Sequence, residues 1–326
     1  MEKRIAIVGA GNLGSRHLQA LAKINFPAKL QVVDPSSESL RIAEERFYQV
    51  QTNNNVKSID FLTTIDRLFP SLDLCFIATN ADVRYKVLQE LLSQKRVKYL
   101  ILEKVLFQSK TELKNGLKLI QANKAIAWVN CTRRIFPIYQ EIRGLFPNNV
   151  KVNYQFSGGD WGIACNGIHF LDHITWLTND KLQNLDISDL DDVVHPSKRQ
   201  GNIELTGTLS GQLLNGSRVT LTSTKEPNLP LILKIQSDDL NVEVNETLGE
   251  ASFFSGEDDW KIKSQKFNMP LQSVLITQVV NKLIMSGLCD LTPIEESCGV
   301  HEIFLSAIKE HLEKVTNSKY ERCPIT

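Results

Sequence analysis

Arg4-Ile5-Ala6-Ile7-Val8-Gly9-Ala10-Gly11-Asn12-Leu13-Gly14 stands at the head of the chain. A short apolar β-type run leads straight into Gly-x-Gly-x-x-Gly, and residues 13–24 then repeat apolar positions at helical spacing. Strand, glycine loop and helix in that order are the opening of a mononucleotide-binding βαβ unit. The first glycine permits a tight turn, the second lets backbone approach a pyrophosphate, and the third lets helix and strand pack closely. The helix N-terminus offers free N–H groups and a positive dipole end to phosphate. Gly9, Gly11, Asn12, Leu13 and Gly14 are therefore the expected dinucleotide cradle, although a glycine turn of this kind also occurs in doubly wound folds that bind something else. Asp34 favours the dinucleotide, standing 20 residues beyond Gly14 at the end of the next apolar run, Leu30-Gln-Val-Val-Asp34. A carboxylate there accepts ribose hydroxyls and repels a 2′-phosphate, so NAD is expected over NADP.

Outward from this loop the first part of the chain alternates strands with helices. Helical stretches at 37–47 (with a serine at the cap), 81–93 and 111–123 separate apolar runs at 72–78, 99–103 and 125–130. That is an α/β pattern, a Rossmann-type doubly wound parallel sheet with strands buried on both faces. The pattern changes after residue 130. After a helix near 170–177 come strands at 203–209, 217–223, 231–236 and 240–244 with turn residues between them, and an alternating run at 150–156 precedes that helix. This predicts an α+β domain with a large open, mainly antiparallel sheet. Helices at 271–285 and 293–315 close the chain, the last expected to pack back on the first domain. The expected division is 1–130 for the dinucleotide domain and 131–326 for a substrate and oligomerisation domain.

Bulk composition narrows the function. At 326 residues, two domains are the default. Lys+Arg and Asp+Glu are equal at 37 each, so no basic excess exists to draw nucleic acid or an anionic membrane. Cys75, Cys131, Cys165, Cys289, Cys298 and Cys323 form no C-x-x-C pair, which gives no metal motif and fits a reducing compartment. Lys3 and Arg4 precede only four apolar residues before the glycines, too few for a signal peptide. A cytoplasmic location is expected.

Ligands of open α/β sheets lie beyond the carboxyl ends of strands. Two further strand ends should complete the crevice: Ala78-Thr79-Asn80 and Glu103-Lys104. Thr79 and Asn80 fit equally well as caps of the helix that follows. With these residues in place, almost the whole chain resembles the Gfo/Idh/MocA (glucose–fructose oxidoreductase / inositol dehydrogenase) family. Glu103-Lys104-Val105 resembles its Glu-Lys-Pro motif. Cys165-Asn166-Gly167-Ile168-His169-Phe170-Leu171-Asp172 resembles its Asp-x-x-x-His-x-x-Asp stretch, and Thr132-Arg133-Arg134-Ile135-Phe136-Pro137 its linker. Two positions depart: valine replaces the motif's proline, and Cys165 replaces an aspartate that polyol dehydrogenases of the family use near the substrate.

The resemblance implies a hydride transfer between NAD and a hydroxyl or keto carbon of a sugar, sugar acid or nucleotide sugar. The Cys165-Asn166 variant leans away from simple polyols, toward a sugar of cell-surface polysaccharide synthesis. His169 would be the acid/base, since imidazole exchanges protons near neutrality. Lys104 would polarise the reacting oxygen, and Glu103 would reach the nicotinamide ribose. Asp172, Cys165, Asn166 and Arg133 are candidate substrate contacts. Each also has a plain structural reading: Asp172 in a first helical turn, Cys165 as a buried filler, Arg133 and Arg134 as bridges between domains. His17 reads as a surface or packing residue. Two rival functions stay open: a catalytically silent NAD- or sugar-sensing regulator on the same fold, and an imine or biliverdin-like reductase. The open sheet suggests a homodimer or homotetramer.

Overall fold

Near-continuous apolar runs become buried parallel strands in the first part of the computed structural model, which describes residues 2–256 and 259–326. The elements are β1 (Lys3–Val8), α1 (Asn12–Leu21), β2 (Ala28–Val33), α2 (Ser37–Tyr48), β3 (Val56–Leu62), β4 (Ser71–Ile77), α3 (Ala81–Gln94), β5 (Arg96–Leu102), α4 (Lys110–Ala122) and β6 (Ile126–Val129). Their sheet order is β6-β5-β4-β1-β2-β3, all parallel, so the order reverses beside β1. Ile5, Ile7, Leu74, Phe76, Leu100 and Leu102 are buried at its centre, each contributing about 1.5–3 kcal/mol on removal from water. Ser36 caps α2 by accepting from the Ser39 N–H at 3.2 Å. The strand β3 escapes a reading of the sequence because it is the edge. Its side chains are mostly half-exposed, so no apolar run marks it.

The second part contains α5 (Pro137–Leu145), β7 (Asn153–Gly159), α6 (Ile163–Thr178), β8 (Leu182–Asp186), β9 (His195–Pro196), β10 (Ile203–Glu204), β11 (Gly207–Leu213), β12 (Arg218–Thr224), β13 (Ile232–Gln236), β14 (Leu240–Asn245), β15 (Glu250–Ser255) and β16 (Ile262–Lys266). Eight strands form one sheet, β16-β15-β14-β13-β7-β12-β11-β8. Every pairing is antiparallel except β7 with β12. One face is apolar: Tyr154, Phe156, Val219, Leu221, Leu233, Ile235, Val242 and Val244 are buried there. Phe156 stacks on Phe170 of α6 with ring centroids 3.7 Å apart, which fixes this as the helix side. The opposite face carries exposed Asn153, Gln155, Ser157, Lys234 and Gln236.

The chain ends in α7 (Gln272–Ser286), β17 (Thr292–Pro293) and α8 (Ile294–Thr316). By their contacts Met1–Phe107, Thr111–Thr132 and Pro270–Cys298 form one unit, and Gln108–Lys110, Arg133–Met269 and Gly299–Thr326 the other. The boundary after residue 130 is thus corrected at its far end, where residues 270–298 leave the second domain for the first. The reason is α7, which buries Leu275, Ile276, Val279, Val280 and Leu283. Thr277 Oγ1 of that helix donates to the Ala20 carbonyl of α1 at 2.8 Å, and Thr292 of β17 pairs antiparallel with Val129. Most of α8 belongs instead to the second unit, where the Phe304 ring lies against Gly167.

Under the second sheet lies a buried polar cluster. The Arg133 guanidinium pairs with both carboxylate oxygens of Glu246, and the Tyr139 hydroxyl donates to the same carboxylate. The Tyr154 hydroxyl lies 2.9 Å from His173 Nδ1. Burial, then the positive charges of Arg133 and Arg134, hold His173 well below its ordinary 6.5. A histidine that stays neutral when folded takes up a proton on unfolding below that value. The unfolded state then binds more protons, so stability falls as pH drops beneath about 6.5, with a slope approaching about 1.4 kcal/mol per pH unit. Urea midpoints measured from pH 7 to pH 5 should show this fall, and His173→Gln should flatten it. An equal slope in the variant would remove His173 as the cause.

Candidate functional site

In the first unit the glycine loop joins β1 to α1. Gly9 has φ +101°, and a Cβ there would stand 2.8 Å from the Thr79 nitrogen. A Cβ on Gly14 would fall 1.8 Å from the Gly9 carbonyl oxygen, so only glycine allows α1 to sit this close to its strand. Gly11 is different: it is exposed, and a Cβ there would meet nothing within 4 Å. Open space over Gly11, beside a helix N-terminus with no side-chain cap, is what an approaching pyrophosphate needs. Asn12 is exposed and Leu13 half-buried beside it. Arg46 Nη1 donates to Asn12 Oδ1 at 3.1 Å and to Ser15 Oγ at 2.7 Å. Asp34 Oδ2 accepts the Ala10 N–H at 2.8 Å while Oδ1 accepts the Ser36 N–H at 2.9 Å. Its carboxylate is thus fixed against the loop, with remaining lone pairs for ribose hydroxyls. These residues fit NAD.

The neighbouring strand ends carry the other candidates. Ala78 and Thr79 follow β4, and Asn80 occupies the N-cap position of α3 but makes no side-chain cap bond. Thr79 Oγ1 is a buried atom without a hydrogen-bond partner, so the capping reading fails for both side chains. Glu103 corrects the expectation that it reaches a ribose. Its Oε1 lies 2.6 Å from His17 Nε2 and accepts Asn130 Nδ2 at 2.8 Å, and the residue is 3 % exposed. Burial works to raise this carboxyl, but the bonds from His17 and Asn130 and the charges of His17 and Arg84 outweigh it and hold it below 4.5. His17, taken for a packing or surface residue, is fully buried and stacks on Phe76 with centroids 4.7 Å apart. Lys104, next in the chain, is buried, and the Lys104–Val105 peptide is cis. Arg84, which the sequence reading passed over, joins these strand-end loops. A lone arginine in a helical stretch gave no signal.

In the second unit α6 begins at Ile163, so Cys165, Asn166 and His169 lie within its first two turns. Asn166 and His169, three apart and both half-buried, share a stripe. Asn166 Nδ2 donates to the Trp161 carbonyl at 2.7 Å, and Cys165 Sγ lies 3.7 Å from the Ile203 carbonyl. The helix N-terminus is capped from a distance. Glu204 of β10 accepts the N–H of Ala164 at 2.5 Å and of Cys165 at 3.3 Å. Burial raises its carboxyl despite these bonds. Two expected substrate contacts are corrected. Asp172 is not in a first turn; it sits deep in α6, 1 % exposed, and takes Arg134 Nε and Nη2 at 2.8 Å each. Arg133 is held by Glu246 and lies over the Phe170 ring at 3.9 Å, so it bridges elements of one unit.

Residues 3–131 match the family model described as "Oxidoreductase family, NAD-binding Rossmann fold" of the Gfo/Idh/MocA group. No curated protein matches the sequence. Solved structures share the fold at low identity. UDP-N-acetylglucosamine 3-dehydrogenase GnnA from Acidithiobacillus ferrooxidans is 16% identical with a TM-score of 0.71, over 94% of this chain and 97% of that one. An oxidoreductase from Agrobacterium radiobacter in complex with NAD+, L-tartaric acid and magnesium is 12% identical with a TM-score of 0.71, over 93% and 94%. The transcriptional regulator Gal80p from Kluyveromyces lactis is 12% identical with a TM-score of 0.73, over 96% and 93%. No helix among the described residues is long and apolar enough to cross a membrane.

The bidentate Arg134–Asp172 pair makes a stability claim. Asp172→Ala leaves a guanidinium buried without its charge partner and should cost about 3–5 kcal/mol in urea unfolding. Replacing both at once, Arg134→Met with Asp172→Leu, should recover most of that. An unchanged midpoint for the single substitution would contradict the pair.

Proposed function

We propose that this protein is an NAD-dependent oxidoreductase acting on a hydroxyl or keto carbon of a sugar, sugar acid or nucleotide sugar. The observation that carries the cofactor is the open backbone at Gly11 beside a carboxylate, Asp34, fixed by the Ala10 and Ser36 N–H groups. Support for the substrate class comes from the shared fold with a UDP-sugar dehydrogenase.

Gly9, Gly11, Asn12, Leu13 and Gly14 would hold the pyrophosphate, Asp34 the adenosine ribose, and Ala78, Thr79 and Asn80 the middle of the dinucleotide. NAD held there would supply the acceptor or donor of the hydride. The chain's own work is proton management. Converting a secondary alcohol to a ketone releases a hydride from carbon and a proton from oxygen. His169 takes that proton, and Lys104 hydrogen-bonds the oxygen as negative charge grows on it. Glu103, Asp172 and Arg133 are held by their own partners and are given no part in the proton transfer. Cys165 and Asn166 flank His169 on its helix and shape the substrate side. The likeness to Gal80p favours a second reading, a silent sensor of the same ligands.

Two experiments decide. Absorbance of reduced nicotinamide, followed with a panel of sugars, sugar acids and nucleotide sugars, should reveal turnover that falls about 100-fold or more in Lys104→Ala and His169→Ala. Full activity in the double variant would end the catalytic assignment, and NAD that no sugar reduces would favour the sensor. Separately, titrated fluorescence should show NADH binding more tightly than NADPH, with Asp34→Ala narrowing the gap by about tenfold or more, roughly 1.4 kcal/mol. A preference unaffected by Asp34→Ala would take that residue out of cofactor choice.

A further inference from the structure

We propose that Arg84 is the positioning residue for Lys104: its guanidinium ties together the loops leaving β4 and β5 and so sets where Lys104 and Thr79 stand. The meaning of Lys104 rests on the oxidoreductase reading above, whereas the geometry does not. Arg84 sits in the first turn of α3 and is 1 % exposed, first by volume among the fully buried side chains. Nη1 donates to the carbonyls of Glu103 at 2.7 Å and Leu106 at 3.0 Å and also to that of Val105. Nη2 turns the other way and donates to the carbonyl of Thr79.

These four carbonyls lie just past the ends of two adjacent parallel strands, where the ladder has stopped and backbone oxygens need another donor. β5 ends at Leu102, and Val105, Leu106 and Phe107 are fully buried. Water therefore does not serve this turn, and a side chain must. Only a planar fork with donors in two directions meets both loops at once. A lysine has one nitrogen and reaches one of them. Its charge is compensated nearby, because the Glu103 carboxylate, held by His17 and Asn130, lies in the same buried network. Lys104 follows Glu103 and precedes Val105, so the carbonyls on both sides of it are gripped by the same nitrogen. The turn that carries Lys104 is thus fixed by a side chain that is itself buried, 1 % exposed. Misplacement of a reacting group by about 1 Å costs on the order of 100-fold in rate, which gives such a clamp its consequence.

The test follows amide hydrogen exchange at residues 103–107, NADH binding by fluorescence, and turnover, in the full chain and in Arg84→Lys and Arg84→Ala. In the unaltered protein the 103–107 segment should exchange as slowly as β5. Arg84→Lys should speed that exchange about tenfold or more, weaken NADH by about tenfold and lower kcat further, by ~100-fold. Millimolar ethylguanidinium should restore binding to Arg84→Ala, while ethylammonium should not, a rescue that a merely stabilising role would not produce. Parent exchange and parent affinity in Arg84→Lys would overturn the proposal, as would binding in Arg84→Ala that ethylguanidinium leaves unchanged. If neither variant folds, exchange in the unaltered protein decides, and surface-loop rates at 103–107 would overturn it. Lys104→Ala is the control. Full activity there would remove the catalytic reading, while the exchange and binding outcomes for Arg84 would stand.

Discussion

The contact between Gly14 and the Gly9 carbonyl, too close for any Cβ, is the constraint on which the first unit depends. It brings α1 down onto the sheet beside β1, where the strand order reverses. Only from there can His17, one turn further along α1, reach under the sheet edge to Glu103 at 2.6 Å. Only from there does the helix N-terminus open toward the space above Gly11. The glycines are therefore doing two jobs: clearing a path for a ligand and setting the depth at which a charged side chain enters the core.

That depth explains why charge collects at the strand ends. A buried carboxylate is costly unless its lone pairs are filled and its charge is matched. Glu103 meets both demands with His17, Asn130 and Arg84, and Arg84 in turn satisfies carbonyls that the sheet has left behind. The second unit solves its own version of the problem. Asp172 and Glu246 each take a bidentate guanidinium, and Glu204 spends its carboxylate on the N–H groups that start α6. In both units, residues that look like ligand contacts by type are occupied in holding the scaffold.

Much of this was legible in the sequence for a physical reason. Strands buried on both faces must be continuously apolar, so β1, β2, β4, β5 and β6 were visible, as was the change to alternating strands after residue 130. Elements without a clearly buried face were not. The edge strand β3 and the polar outer strands β15 and β16 lack the contrast between core and solvent that pattern-reading uses. The displaced segment 270–298 was missed because chain order says nothing about which core an amphipathic helix will choose. Its apolar stripe fits either, and the choice is settled by α1.

Side-chain roles were less legible than the fold, because a residue's type gives its chemistry and not its partner. Asp34 shows the same limit: a carboxylate at a strand end has neighbouring N–H groups to face, and only the folded chain shows that they are those of Ala10 and Ser36. Asp172 and Arg133 were misplaced because their partners, Arg134 and Glu246, lie 38 and 113 positions away in the chain. Arg84 gave no signal at all, since the groups it satisfies are backbone carbonyls, which every residue has. A buried arginine whose partners are main chain leaves no complementary acid to find. Its need arises only where two parallel strands stop side by side, and that is a property of the assembled sheet.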